Sequence, residues 1–252
     1  MKLPHGSTAV PVILMSDSTQ LTGFSGDKKA WPIYMTIGNL TRGVRAQTSS
    51  YSTVLLALLP VPPKYKKKMK AADRTAQQLT NRQVLEKALV QLLEPLIDAG
   101  RHGMDVDCAD LQRRRCFPRL AAWIADYPEY CELHGLKLGS CMWCECPRTE
   151  LGQLKTHQRR DHELYSQWWA ARRDDLLAAA GVKAVENPAW WLPGVDVARC
   201  AKPDILHTIY IGLMAHVMTW LQVLPSLHYA SRAPGSRDLA GLPRGAQATR
   251  AV

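Results

Sequence analysis

The change of hydrophobic period along the first half of the chain constrains the fold most. Up to residue 63 the apolar residues form short runs between Gly- and Asp-bearing turns, which predicts three strands in an antiparallel meander. From Asp73 to Ala99 they recur every three or four residues, as on an amphipathic helix that Pro95 should kink or end. A further strand-like run, CFPRLAAWIADYPEY, comes next. The order β-β-β-α-β predicts an α/β fold.

An aspartate follows the first and the fourth of these strands. Asp17 comes directly after the apolar run Val12-Ile13-Leu14-Met15, and Asp126 ends the later run. One interpretation is an ordinary turn, since Asp and Ser hydrogen-bond their own backbone. The other is a metal site, because two ions about 3.5–4 Å apart can activate a water or a 3′-hydroxyl for phosphodiester chemistry. Mg²⁺ suits such a site, since it takes hard oxygen ligands.

The charge of the chain indicates a polyanionic partner. A net charge of +10 and a pI near 9.4 favour nucleic acid over a membrane surface. No apolar run reaches the roughly 18 residues of a membrane span, and no signal peptide is evident, so we expect an intracellular protein. The KYKKKMK run reads as a phosphate-contacting patch or as a solvated linker. The phosphate-contact candidates are Lys64, Lys66, Lys67, Lys68, Lys70, Arg113, Arg114 and Arg115.

The cysteines favour metal ligands and free thiols over disulfides. There are seven, an odd number, and CMWCEC groups three of them. Cys141 and Cys144, with His157 and His162, match the spacing C-x₂-C-x₁₂-H-x₄-H of a C₂H₂ zinc site. Arg148 takes the place of the core aromatic of a ββα finger, so that fold is not expected. Competing interpretations are Cys146 as a ligand and buried free cysteines without metal.

Two helices are predicted in the second half of the chain. One covers DHELYSQWWAARRDDLLAAAG and ends at Gly181, and the other is a buried helix over DILHTIYIGLMAHVMTWLQVL that Pro225 closes. Asp204 and His207 would share one face of the latter and act together. Otherwise Asp204 complements the helix dipole and His207 is a core residue. From about residue 229 we expect disorder.

These motifs together resemble a known family. The opening segment from Val10, the runs RRRCFPRLAAWIADYPEY and GSCMWCECPRTELG, and PDILHTIYIGLMAHVMTWL are similar, in this order, to Plavaka-type transposases of fungi, relatives of the CACTA superfamily. The resemblance covers roughly residues 10–224 and implies an RNase H-like DDE/D catalytic core. Asp17 matches the first catalytic Asp in S-D-x-T-Q-L, and Asp126 the second in D-Y-P-E. Asp204 and His207 fit the family's [C/D]-x₂-H signature.

The resemblance also implies cofactors, binding partners and a domain organisation. Mg²⁺ or Mn²⁺ would bind Asp17 and Asp126, with Asp204 and His207 in support, and Zn²⁺ would bind the cysteine region. The partners would be transposon-end and target DNA and further copies of the chain, in the nucleus. Residues 8–130 would form the first part of the core, 131–203 a Cys/His/Trp-rich, largely helical zinc-binding insertion, 204–225 a helix and 226–252 a disordered tail.

One departure from the family concerns the third carboxylate. After His207 the chain has no glutamate and one acid, Asp238, in the tail. We therefore expect a C-terminally truncated enzyme with an incomplete site, inactive in full cut-and-paste transposition. The alternatives are a non-catalytic zinc-containing DNA-binding or interaction module, and a transposon remnant.

Overall fold

The structure is a computed structural model that describes residues 3–22, 28–62 and 68–222. The chain divides into two compact units, Met1–Asp204 and Ile205–Val252. In the three described ranges no helix has the length and apolar character needed to cross a membrane. Predictions for Lys64, Lys66 and Lys67, and those for Pro225, Asp238 and the tail, lie outside the described residues.

A mixed sheet forms the centre of the first unit. Its strands run in the order β2-β3-β1-β6-β5, with β4 paired to β3 and β7 paired to β6. Strand β1 is antiparallel to β3 and parallel to β6, which is also parallel to β7. The α/β class is therefore confirmed, and β1, β3 and β4 form the predicted meander. The strands are β1 (Thr8–Ser16), β2 (Thr19–Gln20), β3 (Lys29–Ile37), β4 (Val54–Leu59), β5 (Met104–Asp107), β6 (Arg113–Ala125) and β7 (Ala201–Pro203).

The helices of the first unit connect and cover these strands. They are α1 (Arg42–Arg45), α2 (Ala71–His102), α3 (Tyr127–Leu133), α4 (His162–Ala170), α5 (Asp174–Ala179) and α6 (Val197–Cys200). Helix α2 is the predicted long helix, but it continues past Pro95, so the prediction that this proline could end it is wrong. Proline removes one backbone hydrogen bond. The buried stripe Leu85, Leu89 and Leu93 holds the helix against the core over this stretch.

The hydrophobic core lies between α2 and the sheet and extends into the residues after α3. Leu14, Ile33 and Trp123 are each at most 1% exposed and belong to the same cluster as the α2 leucines. Tyr165 and Leu177, from the predicted insertion, join this cluster as well. The insertion therefore packs as part of the first unit.

The second unit begins with a helix. It starts at Ile205, is π-helical over Leu206–Leu213 and remains helical to residue 222. The helix was expected and is observed, and its burial stays a prediction. The expectation that Asp204 lies on this helix is also wrong. The Asp204 backbone N–H instead donates to Ala125 O (3.2 Å), which extends the ladder between β7 and β6.

Candidate active site

Three neighbouring parallel strands of the sheet are each followed directly by an aspartate. Asp17 follows β1, Asp126 follows β6 and Asp204 follows β7. Their register matches, because Met15 lies opposite Ile124 and Ile124 opposite Lys202, and each aspartate comes two residues further on. Neighbouring strands lie about 4.8 Å apart. The three aspartates therefore occupy adjacent positions at one edge of the sheet.

Asp126 also begins a helix. It is the N-cap of α3, with extended backbone, and its Oδ1 accepts a hydrogen bond from the Glu129 backbone N–H at 2.7 Å. Pro128 in the first turn of α3 also favours the start of a helix at this position, directly after the strand. The cap fixes the side-chain rotamer of Asp126, which is half-buried, whereas Asp17 is exposed. The two predicted catalytic acids thus differ in rigidity.

Glu129 is a member of this cluster that the sequence prediction missed. Its side chain is 8% exposed, and its Oε1 accepts a hydrogen bond from the backbone N–H of Ser18, the residue after Asp17. Burial raises the pKa of the Glu129 carboxyl, and the charge of nearby Asp126 raises it further. The sequence did contain a signal for it: Glu129 comes three residues after Asp126, which is the spacing of an N-cap residue and the glutamate of a capping box.

A groove beside Ser18 and Glu129 is lined by charges of both signs. Its volume is about 670 Å³, and two exposed lysines, Lys28 and Lys29, line it together with the carboxyl groups of Glu129 and Glu132. The sequence prediction overlooked these lysines because they do not form a long basic run. They are the cationic side chains among the described residues that line this groove, and a phosphate backbone could contact them.

The donor chemistry of the strand ends suits a hard divalent cation. Carboxylate oxygens are the ligands that Mg²⁺ and Mn²⁺ prefer. Two buried oxygens, Glu129 Oε2 and Ser16 Oγ, also lie here, while the nearby Trp31 Nε1–H is a donor that favours the charged Glu129 carboxylate. Within the described ranges, no three His, Cys, Asp or Glu side chains are already gathered into a metal site. The donors fit the cation in kind.

The model of the Plavaka transposase family matches residues 1–221. The chain belongs to the Plavaka transposase family. A search of curated proteins found no match. Family membership confirms the resemblance seen in the sequence, implies DNA binding and suggests transposase-type activity. The matched range contains Asp17, Asp126, Asp204 and His207.

The predicted arginine patch of this Plavaka chain lies at the other end of β6. Arg113, Arg114 and Arg115 begin the strand, whereas Asp126 follows its last residue, about 40 Å away at the usual rise per residue. Each arginine has an acidic partner. Arg114 forms a two-bonded pair with Asp110 (2.6 and 2.7 Å), while Arg113 and Arg115 pair with Asp105 (3.9 and 3.1 Å). These cations are therefore partly neutralised.

The described lysines of the basic run precede α2. Lys68 is exposed, and Lys70, also exposed, is the N-cap of that helix without a side-chain cap bond. Their role as phosphate contacts stays a prediction.

The cysteine cluster of the Plavaka chain lies on a small hairpin. Cys144 forms a bridge with Arg159, and Glu145 N–H donates to Gln158 O, so Cys146 and His157 come next in register. The Trp143 N–H donates to Cys141 Sγ at 3.4 Å. Burial raises the pKa of the Cys144 thiol, and the Cys141 and Cys146 thiols are close enough to contribute.

The two predicted histidine ligands lie in different surroundings. His157 and Cys144 line one cavity of about 250 Å³. His162 begins α4 and lines another cavity, together with Tyr130 and His134. The structure therefore brings His157 to the same cavity as Cys144, with His157 Nε2 3.5 Å from Glu150 Oε2, whereas His162 lines a different cavity.

Proposed function

We propose that the chain carries the RNase H-like, DDE/D catalytic core of a transposase. Such a core hydrolyses a phosphodiester at the transposon end, and the freed 3′-hydroxyl then attacks a target phosphodiester, which joins the two strands and releases a 3′-hydroxyl of the target. The matched register of Asp17, Asp126 and Asp204 at the ends of three parallel strands is the observation that supports this best. The strand order β4-β3-β1-β6-β7, with β1 antiparallel to β3 and parallel to β6, supports an RNase H-like arrangement.

In this proposal Asp17 and Asp126 hold Mg²⁺ or Mn²⁺. When bound, such a cation activates the attacking oxygen and stabilises the charge that develops on the phosphodiester. Asp204 adds a third carboxylate at the same end of the strands, and the [C/D]-x₂-H motif alone proposes His207, in the second unit, as a catalytic residue. The cap at Asp126 holds this side chain in one rotamer, so less reorganisation is needed on binding.

The two lysines of the groove would hold the DNA backbone beside these acids. Lys28 and Lys29 line the groove, so they are the first phosphate contacts to test, ahead of the paired arginines of β6. A protein that neutralises a phosphate releases counterions, which makes binding salt-dependent. We further propose that the protein acts in the nucleus, where the basic run around Lys68 would direct it, and as a homo-oligomer.

We propose a zinc site at the hairpin. The proposed ligands are Cys141, Cys144, Cys146 and His157. The hairpin register, which brings Cys146 opposite His157, and the Trp143 amide that donates to Cys141 Sγ support this choice. Thiolate and imidazole are the donors that structural zinc takes. This set replaces His162 of the spacing motif with Cys146. The zinc would brace the hairpin against the rest of the insertion.

Nicking of supercoiled plasmid in Mn²⁺ tests the catalytic proposal. The native chain is compared with the Asp17→Asn/Asp126→Asn double variant and with Glu163→Gln, which removes an exposed acid in the first turn of α4. We expect the native chain and Glu163→Gln to nick and the double variant to be silent. If none of the three nicks but all retain DNA in a gel shift, the catalytic proposal is refuted and a non-catalytic DNA-binding module is favoured.

A further inference from the structure

Glu129 connects the two predicted catalytic aspartates through two different hydrogen bonds. Its side-chain Oε1 accepts from the backbone N–H of Ser18, which belongs to the peptide group directly after Asp17. Its own backbone N–H donates to Oδ1 of Asp126. One residue thus holds the backbone at the first acid and the side chain at the second.

The position of Glu129 is unusual for a carboxylate. The side chain is more than nine-tenths buried, and its Oε2 makes no hydrogen bond of standard geometry among the described residues, although the Ser16 and Trp31 side chains are near enough to favour the charged form. Placing a carboxylate away from water is unfavourable unless it is well paired. An apolar residue would fill the same space without a buried acceptor to satisfy, so the packing alone does not explain a long polar side chain here.

The geometry explains it through Asp17. Strand β1 ends at Ser16, and Asp17 is exposed, so β-ladder bonds no longer restrain its backbone. The bond from Ser18 N–H to Glu129 restrains the peptide plane after Asp17, and with it the direction of the Asp17 Cα–Cβ bond. A carboxylate on a restrained backbone loses less freedom when it binds a cation.

We propose that Glu129 is a positioning residue that aligns Asp17 with Asp126 for divalent metal binding. This inference rests on the proposed metal-dependent function of the strand ends. The length of the Glu129 side chain is what matters in this role. Helix α3 fixes the Glu129 backbone, and a side chain of this length is needed to accept the hydrogen bond from the Ser18 amide. Charge at Glu129 is secondary, because a neutral acceptor of the same length would hold the same N–H.

Two substitutions separate reach from charge. Glu129→Gln keeps the length and an acceptor oxygen, whereas Glu129→Asp keeps the charge but is shorter by one methylene and leaves the Ser18 N–H unpaired. Both keep a polar side chain at this site, and thermal unfolding verifies that each variant is folded. Glu163→Gln serves as the matched acid control on α4.

Mn²⁺ binding is measured by electron paramagnetic resonance of the free ion, with the Asp17→Asn/Asp126→Asn variant as the baseline. We expect Glu129→Asp to weaken binding about 10-fold or more, the range for residues behind metal ligands, and Glu129→Gln to stay within about 3-fold of native. Hydrogen exchange of the Ser18 amide should be faster in Glu129→Asp and unchanged in Glu129→Gln.

The outcomes separate this inference from the proposed function. If the native chain binds Mn²⁺ through the two aspartates and Glu129→Asp binds equally well, or Glu129→Gln is as weak as Glu129→Asp, the positioning role is refuted and the metal site stands. If the native chain binds no more Mn²⁺ than the double aspartate variant, the proposed metal site fails and the positioning role fails with it.

Discussion

Substitution of Asp126 should separate its structural role from its chemical one. The structural role is the N-cap of α3, where Oδ1 accepts from the Glu129 backbone N–H at 2.7 Å. Asn caps helices as well as Asp does, whereas Ala leaves the N–H unpaired. We therefore expect Asp126→Asn to keep the stability of the protein and Asp126→Ala to reduce it. Both should lose divalent-cation binding, because both remove the charge.

The expected size of the stability loss follows from the cap. Replacing an N-cap by Ala costs about 1 kcal/mol, within a range of roughly 0.5–2. For a folded unit of about 200 residues, that corresponds to a fall in Tm of about 2–4 °C. Asp161 provides the matched control, since its Oδ1 caps α4 by accepting from the backbone N–H groups of Glu163 and Leu164 at 3.0 and 3.1 Å. Asp161→Ala should lose similar stability without loss of nicking.

Thermal unfolding and plasmid nicking in Mn²⁺ are measured on the same four proteins. We expect Asp126→Asn to melt like the native chain while its nicking falls by about 100-fold or more, because loss of a ligand should cost at least as much as the roughly 10–100-fold lost with a residue behind a ligand. Asp161→Ala should show the opposite pattern. Nicking by Asp126→Asn at the native rate would refute a metal-binding role for Asp126. A Tm for Asp126→Asn as low as that of Asp126→Ala would refute the cap argument.

Three further predictions concern other parts of the molecule. Burial lowers the pKa of His134 from 6.5 to about 3 in the folded state. As the pH falls from 6.5 towards 3, the unfolded chain therefore takes up a proton that the folded protein does not, and the free energy of unfolding decreases. His134→Phe should flatten the dependence of Tm on pH over that range. Lys28→Ala/Lys29→Ala should reduce the slope of log K for duplex DNA against log salt by about 1–2, and an unchanged slope would exclude both contacts. Zinc measured by mass spectrometry should fall in Cys144→Ser and stay at the native level in His162→Ala, whereas equal losses in both would favour the spacing motif over the hairpin register.

The parts of the fold with strong periodicity could be predicted from the sequence. The long helix was expected over Asp73 to Ala99 and is observed as Ala71–His102, and the strands before and after it were anticipated in the right order. These elements are long, so their apolar pattern is repeated several times. Asp17 and Asp126 were identified as candidates because they end such strands.

Short elements and tertiary contacts could not be predicted in this way. Strand β7 has three residues and no readable pattern, so Asp204 was assigned to the helix that follows it. The acids that pair with Arg114 and Arg115 are brought there by a turn and by β5, another short strand. Ion pairing depends on which residues become neighbours in the folded protein. The prediction from the run of arginines therefore overestimated how much positive charge is available to bind phosphate.

Glu129 shows why the remaining part of the site is informative. Its pKa is raised by burial, so the folded state prefers the protonated form, and ionisation costs stability as the pH rises above the ordinary value of 4.5. A residue that opposes the stability of its own surroundings at neutral pH needs a compensating role. Local rules of burial are broken most often where a protein binds or reacts. Glu129 is hydrogen-bonded to the Ser18 amide, next to Asp17, and to Asp126, the two acids that follow predicted strands. Its unfavourable burial and the strand register therefore indicate the same functional site at the ends of these strands.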